Sequence, residues 1–564
     1  MLVLGDLRFF SPMSLLDTPT APRRGRGARL AAALLARSSP TALEIAIFAG
    51  MLGLVAAAVF GPHVREGGFY SDDWATAGEY AAAGGGAWAA LAVATGGGLF
   101  AFRPVLALVL PVPHALFGLD QSLHLALAVA LGALTSVCLF ALLRTVGVER
   151  LHAGAIAGLV LLFPWSDATR LWATASANNL AVCLYLLGTL LALRGLRRSG
   201  RRAFSLHAAA IILYVLSVLT YEVAALAILC SGALYAARSS RRAALRRWPW
   251  DVAAVGAALA LIGLNTPRDV RPPAELVARA AIFADEGLSV LAAAALPFGG
   301  APRLAVLGAL AVGVGVAVVV ERRLPEADPG RERLRRWLVL ALVGALGVAI
   351  GYAMFVPGED HYSPLKEGLS NRINLLAALG HVTLVYSVAV LAATLLARAL
   401  GGAAARAAPV GLPVILACAL AAGYASEVRA HAAGYARTTA FQDRLLGLIE
   451  REVRAPRGAT IYTFGHPTYI APGLAGFRHW DLRGAVRVVL EDPSLDAYPI
   501  YPGVEWVCGA TTLHPRSRFY SAEQSLSAYG KAVWVDYTSE RAVVVTGREQ
   551  CLALQSSFLP GTWS

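Results

Sequence analysis

The run Phe69-Tyr70-Ser71-Asp72-Asp73-Trp74 sets two adjacent carboxylates beside aromatic residues. Such a pair suits general-base work on an incoming hydroxyl, with Asp72 or Asp73 as the base and Asp72 slightly favoured, or capture of a divalent cation, magnesium or manganese. Trp74 is then a candidate substrate contact, and the bland alternative is a solvated loop with an interfacial aromatic anchor. Positive charge able to meet a phosphate is available in Arg372, Lys366 and His361 of the 358–372 segment, and in Arg103 and Arg170. Arginine forks onto two phosphate oxygens, whereas lysine acts as a point charge, and Lys366 and Lys531 are the only lysines of the chain. Against this stand headgroup anchoring for Arg372 and Lys366, and snorkelling at span ends for Arg103 and Arg170. Glu222 interrupts an apolar stretch, where an acid costs about 2.5–3.5 kcal/mol at mid-membrane, so it belongs at a turn or against a cavity and is a further candidate contact. His114 and His124 lack a zinc-ligand pattern, and Trp165 and Trp172 read as interfacial anchors.

The elements that must hold these residues are membrane helices. Of the 564 residues 57% are hydrophobic and only 15% charged, with a mean hydropathy of +0.59, a balance that lipid rather than water solvates. Apolar runs centred on 42–61, 124–144, 152–168, 176–195, 205–220, 222–237, 250–265, 303–320, 337–356, 373–397 and 411–427 give about eleven transmembrane helices. Segments 104–118 and 281–297 read as re-entrant or interfacial helices. The net charge of +13 does not point to nucleic acid, because the arginines are distributed over short loops between apolar runs. With the basic leader 1–40 in the cytoplasm, the arginine-rich loops fall inside, while Asp72-Asp73, Pro164–Asn179, Tyr221-Glu222 and Gly358–Arg372 fall outside. The first outer loop, 62–123, is long. The glycine runs 84–86 and 96–98 lack phosphate-loop context.

Residues 41–428 thus form the membrane body of an all-α polytopic protein, and 429–564 a small extracytoplasmic α+β domain. That domain opens with an amphipathic helix at Phe441–Val453, followed by strand-like runs at 459–464, 486–490, 506–513, 532–537 and 542–546. Cys508 and Cys551 are its only cysteines and, outside the cytoplasm, form a candidate disulfide.

The order of these features resembles the GT-C superfamily of polyprenyl-phosphate-sugar-dependent glycosyltransferases. A first span leads to Asp72-Asp73-Trp74 in a long outer loop, then Phe102-Arg103-Pro104, Leu116-Phe117-Gly118-Leu119-Asp120 and a span led by His124. Leu219-Thr220-Tyr221-Glu222 is similar to a recurring acidic turn, and Asn371-Arg372 to the basic position used for the lipid phosphate. The resemblance implies an inverting membrane glycosyltransferase of the bacterial inner membrane and cell envelope. It would move a sugar from a polyprenyl-phosphate carrier to a glycan, lipid or protein acceptor on the extracytoplasmic face. No acceptor signature accompanies the motifs. The alternatives are a transporter, a non-catalytic anchor for the tail, and a lipid-linked glycan ligase or polymerase. Few ionisable groups within spans and no internal repeat speak against transport.

Overall fold

The structure, a computed structural model, describes residues 40–266, 271–299, 302–326, 328–358, 362–400, 402–501, 504–516 and 525–557. The leader and His361 lie outside these residues. Among the described residues nine helices are long and apolar enough to cross a membrane, beginning with Ala42–Glu66 and Gln121–Thr145. Two of the expected spans take another form. The run at 152–168 stops as helix Arg150–Leu162, because Pro164 cannot continue it, and proceeds through short turns at Pro164–Ser166, Ala168–Leu171 and Thr174–Ser176. The run at 222–237 breaks into Glu222–Ala224, Ala225–Leu229 and Ser231–Arg238. Segment 104–118 is likewise split, into Pro104–Val109 and Val112–Phe117, while 281–297 belongs to the longer helix Pro273–Ala295.

Helices Leu369–Leu400 and Thr174–Gly195 are the most deeply buried of the nine. Helix Leu375–Leu400 packs on Pro329–Ala353 through small residues, and a Cβ added at Gly380 or Gly344 would run into the facing backbone. In lipid, such close backbone approach replaces the hydrophobic drive that water supplies elsewhere.

The two ends of the bundle differ in charge. At one end Arg144 and Arg150 share Glu44, and Arg197 and Arg238 both donate to the carbonyl oxygen of Thr145. Glu44 begins the first span and Thr145 ends the next; at 25 residues each, these helices carry the chain about 37 Å to the opposite end. There lie the turns from Pro164 to Ser176 and the start of the broken run at Glu222, where irregular backbone is tolerated because it is buried in protein or lines a cavity. Asn374 Nδ2 donates to Trp165 O at 2.6 Å and to Leu365 O at 3.0 Å, satisfying part of that backbone.

The expected span at 411–427 and the amphipathic helix at 441–453 are one continuous helix, Gly402–Glu452, whose 51 residues extend about 76 Å. The boundary between membrane body and tail falls inside it. The tail holds a four-stranded sheet in the order Asp496–Pro499, Thr460–Phe464, Ala532–Asp536, Arg541–Val545, parallel except for the last strand. The strand expected at 486–490 is instead the end of helix His479–Val489, whose Leu482, Ala485 and Val486 follow helical spacing into the core. Residues 506–513 form parts of two strands, Glu505–Cys508 and Thr512–Arg516, of a separate antiparallel sheet. Cys508 and Cys551 are joined by a disulfide across that subdomain.

Candidate active site

Asp72 opens helix Asp72–Ala82, directly after Ser71, whose φ of 47° is the left-handed conformation that L residues avoid. Its position on the helix directs it, with Ala75, Thr76 and Glu79, along a single face into a cavity of about 430 Å3. Asp72 Oδ1 accepts a hydrogen bond from Trp480 Nε1 of the tail at 3.1 Å and a longer one from Ser71 Oγ at 3.5 Å. Oδ2 accepts none among the described residues, so one carboxylate oxygen stays open for a proton.

Asp73 points elsewhere. It is 2% exposed; Oδ1 accepts from Thr174 N at 2.7 Å and from Thr174 Oγ1, and Oδ2 accepts from Tyr70 N at 3.1 Å. Burial raises its carboxyl from 3.8 to about 7, against the pull of those hydrogen bonds. The two carboxylates therefore open onto different cavities, Asp73 onto a smaller one of about 50 Å3 that also contains His114 and His124. The chelating Asp72–Asp73 pair expected from the sequence is not assembled, and among the described residues no group of three metal-ligating side chains gathers anywhere.

Another part of the lining is basic and aromatic. Arg103, which precedes helix Pro104–Val109, forks onto Glu222, with Nε 3.0 Å from Oε2 and Nη2 2.7 Å from Oε1, and lies 4.5 Å over the Tyr221 ring. This half-buried pair leaves little net charge at that spot. Arg372 follows Asn371 in the turn Leu369–Asn374. Asn371 Nδ2 donates to Asp167 Oδ1 at 2.8 Å, its Oδ1 accepts from Ala168 N at 3.0 Å, and Asp167 Oδ2 pairs with His431 of the long helix at 2.8 Å. The backbone beneath Arg372 is thereby fixed, while its guanidinium spends one N–H on Leu369 O and lies 5.2 Å over Trp172 and 5.8 Å over Tyr362. Among the described residues no carboxylate pairs with it. A third wall, from Val93, Leu99, Leu106, Ala107 and Leu110, is apolar.

Of the residues singled out from the sequence, Asp72, Arg103 and Arg372 thus line one cavity, and Glu222 reaches it as the partner of Arg103. The others are placed differently. Arg170 is turned inward, donating to Phe163 O at 2.6 Å against Gly132, which leaves room for its stem, so it supplies no charge to the cavity. Lys366 is exposed and outside the lining. Trp74 is buried against Phe69, with its Nε1 3.5 Å from Gln442 Oε1, in the core shared with the tail. Conversely, Trp172 is a wall of the cavity rather than an interfacial anchor. Thr174, Tyr362, Glu79 and Trp480 are parts of the arrangement that carried no sequence motif. The seven-residue spacing of Asp72 and Glu79, two turns of one helix face, was the one available signal.

No protein-family model and no curated protein matches the chain. Solved structures that resemble it include ArnT from Cupriavidus metallidurans in the apo state, with a TM-score of 0.36 at 16% identity over 79% of this chain and 84% of that one, and ArnT from the same organism bound to undecaprenyl phosphate, with a TM-score of 0.33 at 14% identity over 79% and 85%.

The arrangement has a definite chemical capacity. A carboxylate with one unfilled oxygen and a guanidinium with no acidic partner among the described residues line the same space, which is sized for a small ligand and has an apolar wall. Such a site can take a proton from a hydroxyl on one side and hold an anionic leaving group on the other.

Proposed function

We propose that the protein is a membrane glycosyltransferase of GT-C type that transfers a sugar from a polyprenyl-phosphate carrier to a hydroxyl acceptor. The observation that carries this reading is that Asp72 and Arg372 line one cavity together with an apolar wall. In the proposed step the acceptor hydroxyl gives its proton to Asp72 Oδ2 as its oxygen bonds to the anomeric carbon. The bond from that carbon to the phosphate oxygen breaks, and the phosphate leaves with the electron pair, stabilised by Arg372. Arg103 is excluded from that role by its fork on Glu222 and instead closes the wall beside Tyr221.

Asp72→Asn should lower turnover by roughly 100-fold or more while leaving insertion and the thermal midpoint unchanged. The measurement is sugar transfer from a radiolabelled polyprenyl-phosphate donor in proteoliposomes, and wild-type turnover in that variant would end the reading.

The cavity end of the bundle is assigned to the extracytoplasmic side, with the N-terminus cytoplasmic, because the arginine clusters around Thr145 occupy the opposite end. A cysteine at Ala75 should react with an impermeant maleimide in intact cells, and reaction only after lysis would reverse the orientation.

A further inference from the structure

The tail domain contributes a side chain to the site. Trp480 Nε1 is 3.1 Å from Asp72 Oδ1, although 408 positions separate the two residues. The indole is held by a rigid element. It lies in the first turn of helix His479–Val489, whose start is fixed by Asp481, which accepts from Arg478 N and, at 2.9 Å, from Leu482 N. On either side of it, the His479 ring stacks on Tyr498 of the tail sheet at 4.1 Å, and the Arg478 guanidinium covers the indole at 5.5 Å.

That helix crosses helix Asp72–Ala82 at two glycines. A Cβ on Gly484 would overlap the Trp74 carbonyl oxygen, and one on Gly78 would strike the Gly484 backbone. The closeness of this crossing brings the indole N–H within reach of a side chain as short as aspartate. Among the described residues, unlike Asp73, Asp72 has no backbone donor, and its only other hydrogen bond is the 3.5 Å contact with Ser71 Oγ.

We propose that Trp480 is a positioning residue for the transfer reaction, holding Asp72 by Oδ1 so that Oδ2 faces the acceptor. The proposal rests on the reading of Asp72 as the base. A freely rotating carboxylate would present each oxygen in several orientations, and the indole selects one. Trp480 is not among the residues lining the cavity and acts through Asp72, so its effect is on the rate of proton removal rather than on donor binding.

Trp480→Phe keeps a ring under Arg478 and deletes the N–H. In the full-length protein, with turnover expressed per folded molecule after gel filtration, kcat should fall about tenfold, the loss expected for one hydrogen bond to a charged acceptor. KM for the polyprenyl-phosphate donor and the thermal midpoint should stay at the wild-type values. An unchanged kcat per folded molecule overturns the proposal, as does a fall matched by an equal rise in donor KM. Should Trp480→Phe impair folding, Trp480→His offers a smaller ring that still carries an N–H. A kcat for Trp480→His at or below that of Trp480→Phe, per folded molecule, counts equally against the proposal. The two readings fail separately. Full turnover in Asp72→Asn removes the base itself, whereas loss in Asp72→Asn with none in Trp480→Phe removes only the indole's part.

Discussion

The acidic and basic walls of the cavity are built in opposite ways. On the acidic side Asp72 is held at Oδ1 by a directed hydrogen bond, and the decisive donor, Trp480, comes from a distant part of the chain, as Thr174 does for the neighbouring Asp73. On the basic side Arg372 rests on the faces of Trp172 and Tyr362, contacts with a broad energy minimum, and only the backbone beneath it is pinned by Asn371 and Asp167. The difference follows from the tasks. Proton transfer depends on placing one oxygen within hydrogen-bond reach of the reacting group, whereas a cation must follow a phosphate that arrives, reacts and departs.

The contrast can be broken most severely at the glycine crossing. Gly484→Val should force the tail helix off helix Asp72–Ala82, because the added carbon meets main chain that cannot rotate away. Overpacking of this kind costs about 1–3 kcal/mol, so the expected outcome is a lowered thermal midpoint together with loss of transfer, read by calorimetry and donor turnover. Retention of both would mean that the acidic wall does not depend on the tail.

A smaller, more selective effect is expected on the basic side. Arg372→Ala should raise donor KM by roughly 10- to 100-fold with little change in thermal midpoint, since it removes a charge-assisted contact and no buried pair. Arg103→Ala should instead lower the thermal midpoint by removing the forked partner of the half-buried Glu222. If the two variants behaved alike in binding and in melting, the distinction between a mobile and a fixed arginine would fall.

The mildest prediction concerns Asp73. Its folded carboxyl is raised from 3.8 to about 7 by burial, so the folded state holds this proton more tightly than the unfolded chain does. Its contribution to stability is fully present below about pH 3.8 and is lost as pH rises through about 7. The thermal midpoint should therefore drift down between pH 5 and pH 8 in the wild type, and Asp73→Asn should flatten that drift. An equal slope in both proteins would show that Asp73 does not titrate in this window.

These walls were unequally legible in the sequence. Asp72, Arg103, Glu222 and Arg372 stand out because charge is scarce in an apolar chain and because broken segments border them. Fold class followed from apolar run lengths, but Pro164 cut the run at 152–168 short and the run at 222–237 broke into three short helices, interruptions that averaging over a window hides. Arg170 misled because an arginine near a span end looks the same whether it meets phosphate or a carbonyl such as that of Phe163. Trp172, Tyr362 and Trp480 were beyond reach for a different reason. Tryptophan and tyrosine at a membrane surface have a general affinity for the headgroup zone, so composition and position do not distinguish an anchor from a cavity wall. The indole that meets Asp72 comes from another domain, and no local spacing records such a meeting.

The wide separation of Asp72 and Trp480 also dictates an order of events during biogenesis. The first outer loop leaves the ribosome hundreds of residues before its indole partner does, and closing so long a loop is a late and entropically costly step. A nascent chain can insert all its helices and still lack that hydrogen bond until the segment around residue 480 has been translated and folded.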